Sequence, residues 1–91
     1  MEIMSDVLSK LRVQLELQEW PNVYMYKFIV PNHPEKVEGV KQIFDDTALI
    51  TLKSSKNGGF ISITIEEVAI HVDMIIEKYQ KASLINGIIA L

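Results

Sequence analysis

Lys27, Lys53, Ser62 and Thr64 are the residues whose types and spacing point to chemistry. Each falls inside an apolar run, at the parity opposite to the run's most apolar residues. Side chains two apart on a strand share a face, so the four are expected on one side of one sheet. Two cations beside two hydroxyls could hold a small carboxylate or phosphate through charge-assisted hydrogen bonds. The ordinary alternative is a solvated polar sheet face. The same parity also collects Met25, Ile29, Leu49 and Phe60. A face that mixes apolar and polar groups suits protein contact better than a deep ligand pocket, and no lid or cleft is evident in the sequence.

Other chemistry is poorly provided for. The chain has 91 residues and no cysteine, which removes disulfides, thiolate metal sites and a cysteine nucleophile. His33 and His71 are far apart, and neither has a His or Asp at ligand spacing. Asp45-Asp46 reads as exposed loop. Glu66 and Glu67 are neighbours in a strand and so point to opposite faces; both read as solvated charge. Phosphate capture of the acylphosphatase kind needs an arginine after the first strand, and the chain's arginine, Arg12, lies in a leading helix. RNA stacking on a sheet needs aromatics at set positions of the third strand. Phe60 fills one, while Gly58 and Ile63 fill the others. With a net charge of −3, no nucleic-acid partner is expected. No cofactor, metal or catalytic residue is expected either.

These residues need elements to position them. The helical stripe Met4, Val7, Leu8, Leu11 and Leu15 predicts a leading helix over residues 5–18, with Ser5 as its cap. Val23 to Val30 alternates as a strand with Tyr24, Tyr26, Phe28 and Val30 inward. Pro34 opens a helix with Val37, Val40, Ile43 and Phe44 inward, capped by Asn32 or His33. Ala48 to Lys53 is the next strand, with Ala48, Ile50 and Leu52 inward. Asn57-Gly58 supplies the positive φ angles of a hairpin turn. The following strand, from Phe60 to about Val68, turns Ile61, Ile63 and Ile65 inward. Residues 72–83 form a helix on Ile75, Ile76, Tyr79 and Ala82. Asn86-Gly87 breaks it, and residues 88–91 form a last strand. The expected fold is a single α+β domain over residues 1–91. After the leading helix, residues 23–91 follow a ferredoxin-like β-α-β-β-α-β order. Such an order gives a four-stranded antiparallel sheet in the spatial order 4-1-3-2, with two helices on one face.

The run Lys53-Ser54-Ser55-Lys56-Asn57-Gly58-Gly59-Phe60-Ile61-Ser62-Ile63-Thr64 resembles the Ser-Ser-Lys-Gly-Asn-Tyr-x-Ser-Val-Thr hairpin of the YbeD-like family, small bacterial proteins of unknown function. Lys27 before Phe28-Ile29-Val30, and the apolar end Ile88-Ile89-Ala90-Leu91, resemble that family's first and last strands. The likeness covers residues 23–91, and Asn57-Gly58-Gly59 stands where the family has Gly-Asn. The resemblance implies a fold close to the ACT-type regulatory domains of amino-acid enzymes, and it brings no catalytic residues with it.

The function expected from these readings is a small non-enzymatic regulatory or adaptor module that acts by protein–protein contact, homo-oligomers included. The alternative is an ACT-like sensor that binds a small anionic metabolite on the open sheet face. No stretch approaches the roughly 18 apolar residues of a membrane span, and the N-terminus lacks the features of a secretory signal. The cytoplasm is therefore the expected location, with no membrane partner. The leading helix must bury its stripe on the outer edges of the other helices, on the open sheet face or on a second copy; the last two are expected.

Overall fold

A computed structural model describes residues 2–91, with the side chains of residues 6–91. Two ten-residue strands, β1 (Asn22–Pro31) and β3 (Phe60–Ala69), pair antiparallel along their whole length, from Asn22 opposite Ala69 to Pro31 opposite Phe60. Their alternation sets the layers. Tyr26, Phe28 and Val30 of β1 and Ile63 and Ile65 of β3 are buried on one face. Met25 and Lys27 are exposed on the other. β2 (Leu49–Ser54) pairs with β3, and the two-residue β4 (Ile89–Ala90) pairs with β1. The result is one open four-stranded antiparallel sheet in the order β2-β3-β1-β4.

The connection between β2 and β3 shows how the hairpin closes. Gly58 sits at φ +77°, where a side chain would be strained, and its N–H reaches the Ser55 carbonyl at 2.9 Å. Asn57 does not share the positive φ expected of it. Its side-chain oxygen accepts the Gly59 N–H at 3.0 Å, and the Ser55 hydroxyl oxygen accepts the Phe60 N–H at 3.0 Å. One left-handed glycine and two side-chain bonds therefore make the turn.

Three helices cover the buried face. α1 (Glu2–Leu15), α2 (Pro34–Lys41) and α3 (Val72–Ala82) contribute Leu8, Leu15, Val40, Val72, Ile75, Ile76, Tyr79 and Ala82 to a single core with the sheet. α2 ends earlier than expected, and the turn after it still delivers Phe44 to the core. His33 is the residue before α2 but makes no side-chain cap bond. Asn32 instead donates to the Gly58 carbonyl at 2.8 Å and so ties the start of α2 to the hairpin.

α1 departs most from expectation. Its backbone runs from Glu2, which places Ser5 inside the helix rather than at its cap, and ends at Leu15. Met4 lies outside the residues whose side chains are described. The helix does not lie on the open sheet face. It packs against α3, with Leu8 and Leu15 buried, Arg12 Nη1 2.7 Å from Asp73 Oδ1, and the Trp20 indole donating to the Leu15 carbonyl at 2.9 Å. Burying a leucine gains roughly 1.5–3 kcal/mol, and the flank of α3 offers Tyr79 and Ala82 as apolar neighbours. The open face of the sheet is left bare.

Candidate functional site

The bare face is ordered in rows by the strand register. Lys53, Ser62, Ile29 and Ile89 form one row across β2, β3, β1 and β4. Thr51, Thr64 and Lys27 form the next, and Leu49, Glu66 and Met25 the one after it. Directly opposed side chains lie within about 5 Å of each other at Cβ. The register therefore gives two cation–hydroxyl pairs, Lys53 with Ser62 and Lys27 with Thr64. The lysines themselves sit two strands and one row apart, roughly 10 Å across the sheet and 7 Å along it. They do not form a single four-group cluster.

At the hairpin end a shallow hollow of about 590 Å³ is lined by Lys53, Lys56, Ser55, Ser62, Ile29 and Phe60. Lys27 and Thr64 lie outside it. Lys56 is a cation that the face parity did not pick out, because it belongs to the loop and not to a strand. The apolar residues expected on this face are there. Met25, Leu49 and Phe60 are 57%, 64% and 47% exposed, Ile29 is half-buried, and Val23, Val68 and Ile89 add further exposed apolar surface. Glu66 stands between Leu49 and Met25 in its row, so the face carries both signs of charge.

Glu67 corrects the reading of the acidic pair. It shares the parity of Ile63 and Ile65 and points into the core, not into solvent. Its Oε1 lies 3.2 Å from Lys78 Nζ, and its Oε2 accepts the Asp45 N–H at 3.0 Å. Lys78 also donates to the Ile43 carbonyl at 3.1 Å and lies 5.0 Å from the centre of the Phe44 ring. The pair thus holds the turn after α2 down onto β3 and α3. A buried, fully bonded ion pair of this kind is a fastening.

The tyrosines form a second buried polar feature. The Tyr24 and Tyr79 hydroxyls are 3.0 Å apart, and the Tyr26 ring packs between Tyr24, Phe44 and Tyr79. Burial, reinforced by the negative charge of Glu67, pushes the Tyr26 phenol well above its ordinary range. Burial followed by the bond to Tyr24 does the same to Tyr79. Both remain neutral at any physiological pH, so neither serves as a base.

His33 and His71 precede α2 and α3 as exposed capping residues without side-chain cap bonds. Among the described residues no three His, Cys, Asp or Glu side chains gather to hold a metal, and no helix is long and apolar enough to cross a membrane. A family model described as Protein of unknown function (DUF493) matches residues 15–90, from the end of α1 to β4. No curated protein and no solved structure matches the chain.

Proposed function

The chain belongs to the YbeD-like DUF493 family, and from that premise we propose a small non-enzymatic regulatory or adaptor module with ferredoxin-like architecture, whose open sheet face pairs with a second copy. The β-α-β-β-α-β order after α1, and the central place of β1 and β3, support the architecture. The observation that carries the pairing is the bare face itself, where Met25, Leu49, Phe60, Val23 and Val68 stand exposed on three adjoining strands. Patches of that kind on a small domain mark interaction surfaces.

The charges select a second copy as the occupant. If two faces meet with opposed strand directions about the Thr64 row, the Leu49–Glu66–Met25 row of each lies over the Lys53–Ser62–Ile29 row of the other. Glu66 then lies over the other copy's Ser62 with Lys53 one strand to the side, within reach of its carboxylate, and Met25 meets Ile29. The footprint is roughly 500 Å² per copy from strand spacing and length, against about 800 Å² in a stable complex. The assembly is therefore a weak, concentration-dependent dimer, as suits a regulatory contact. Sedimentation velocity over a concentration series tests this, and a protein that stays monomeric at millimolar concentration would refute it.

A second reading, the ACT-like sensor, has its own support in the hollow beside the hairpin, where Lys53 and Lys56 adjoin the Ser55 and Ser62 hydroxyls. A small anionic metabolite would bind there in the monomer. Isothermal titration with amino and organic acids tests it. Saturable heat that disappears in Lys53→Met supports this reading, and the absence of heat with every anion removes it.

A further inference from the structure

Lys27 is the strand lysine that the hairpin hollow leaves out. It is exposed, and among the described residues its side chain makes no ion pair. The residue directly opposite it on β3 is Thr64, which brings a hydroxyl and no charge. The nearest carboxylate across the strands belongs to Glu66, one row away and opposite Met25. Such diagonal neighbours lie roughly 7–8 Å apart.

The face-to-face pairing proposed above, on which the site described next rests, changes these surroundings. Its two-fold axis crosses the strands along the Thr64 row. Every residue of that row meets its own counterpart, so Lys27 lies over Lys27 and Thr64 over Thr64. Facing sheets stack about 10 Å apart, a gap that two lysine side chains fill from opposite sides. Glu66 does not stand between them. The other copy's Lys53 lies on the β2 side of Glu66, and Lys27 lies on its β1 side. A carboxylate turned toward one is turned away from the other. Two ammoniums therefore meet at the axis with two hydroxyls beside them, and like charges in a partly desolvated gap repel.

We propose that this axis is a binding site for one small tetrahedral dianion, of the phosphate or sulfate class, held by Lys27 and Thr64 of both copies. The charge selects the valence. A dianion neutralises both cations, whereas a monocarboxylate leaves one unmatched. The symmetry selects the shape. A tetrahedral oxyanion has a two-fold axis of its own, so each copy offers one ammonium and one hydroxyl to a separate pair of oxygens. Lysine binds such oxygens as a point charge. Neither copy holds the site alone, because a single Lys27 and Thr64 on an exposed sheet leave the anion in water. Anion binding and pairing are therefore coupled, and each strengthens the other by the same factor. An anion in the hairpin hollow has the opposite sign, since it draws Lys53 away from Glu66 and weakens the pairing.

Sulfate is the probe, and the readout is sedimentation velocity of the full chain. The protein is compared in about 10 mM sodium sulfate and in sodium chloride of equal ionic strength, so that screening is the same in both. The dimer dissociation constant should fall about tenfold in sulfate, as a site with an affinity of about 1 mM requires. Lys27→Met should dimerise in chloride and show no response to sulfate, which separates a bound anion from the general salting-out effect of sulfate. Lys27 is exposed, so the change leaves the fold intact, and circular dichroism checks this. Thr64→Ala should show a smaller response than the parent. No response in the parent, a weaker dimer in sulfate, or an equal response in Lys27→Met would each overturn the site. Lys27→Met in chloride then shows which idea has failed. A dimer there leaves the pairing standing without its anion, and a monomer removes the pairing together with the site.

Discussion

Glu67 and Lys78 meet at 3.2 Å between β3 and α3, with side chains only 7% and 14% exposed, and both also bond backbone groups of the turn after α2. The contact fixes the one stretch of α2–β2 chain that lacks regular structure and sets Phe44 against Tyr26. A pair like this is expected to show strong coupling, because removing one partner strands the other's charge in the core.

Glu67→Gln and Lys78→Met should each cost about 3–5 kcal/mol. The combined Glu67→Gln/Lys78→Met variant should cost less than the sum of the two single changes. Urea unfolding of the four proteins forms the cycle. Strict additivity would show that the two charges do not depend on each other.

The strand parity gives a second prediction. Ile63 is fully buried opposite Phe28, and Thr64 faces the open side opposite Lys27. Ile63→Ala should lower stability by about 2–5 kcal/mol, while Thr64→Ala should stay within about 0.5 kcal/mol of the parent. Equal losses in chemical denaturation would mean that the face assignment is wrong.

The same parity explains what could be read from the chain and what could not. Tyr26, Phe28, Val30, Ile63 and Ile65 declare the core face by period two alone, and Ile75, Ile76 and Tyr79 declare theirs by helical spacing. Glu67 carried the same signal, since it is in phase with Ile65, but its charge argued for solvent. Only the fold shows that Lys78 waits opposite it. The stripe of α1 identified an apolar face without naming what covers it. Leu8 and Leu15 fit any apolar surface, and the choice of α3 over the sheet depends on tertiary packing. In the hairpin, Asn57 and Gly58 announced a turn, but which of them takes the positive φ depends on the Ser55 and Asn57 side-chain bonds. Of the face residues, Lys27, Lys53, Ser62 and Thr64 were placed by parity. Their separation into two pairs required the register.

Alkaline pH should destabilise the fold. The Tyr26 and Tyr79 phenols are both raised by burial in the folded state. Their contribution is fully present below the ordinary tyrosine value of about 10 and is lost above it, because the unfolded chain ionises first. The slope is about 1.4 kcal/mol per pH unit for each tyrosine held neutral. Thermal melts between pH 8 and 11.5 should show a steep fall in Tm above pH 10, and Tyr79→Phe should flatten it. A flat Tm across this range would contradict the burial of both phenols.

α1 should matter for stability and not for assembly. Leu15→Ala should cost about 2–5 kcal/mol, whereas Asp73→Asn, which weakens an exposed pair with Arg12, should cost no more than about 1 kcal/mol. Neither should alter self-association, since both lie on the helical side of the sheet. Denaturant midpoints together with light scattering check both halves of this statement.

The face-to-face pairing is tested most directly by sedimentation velocity of the parent protein, Glu66→Lys and Lys27→Met over one concentration series. With opposed strands about the Thr64 row, the two copies of Lys27 approach each other, while Glu66 lies over the other copy's Ser62 with Lys53 one strand to the side. The parent should sediment as a weak dimer, Glu66→Lys as a monomer, and Lys27→Met as a tighter dimer. A parent that dimerises equally well in all three forms, or remains a monomer throughout, would contradict the account.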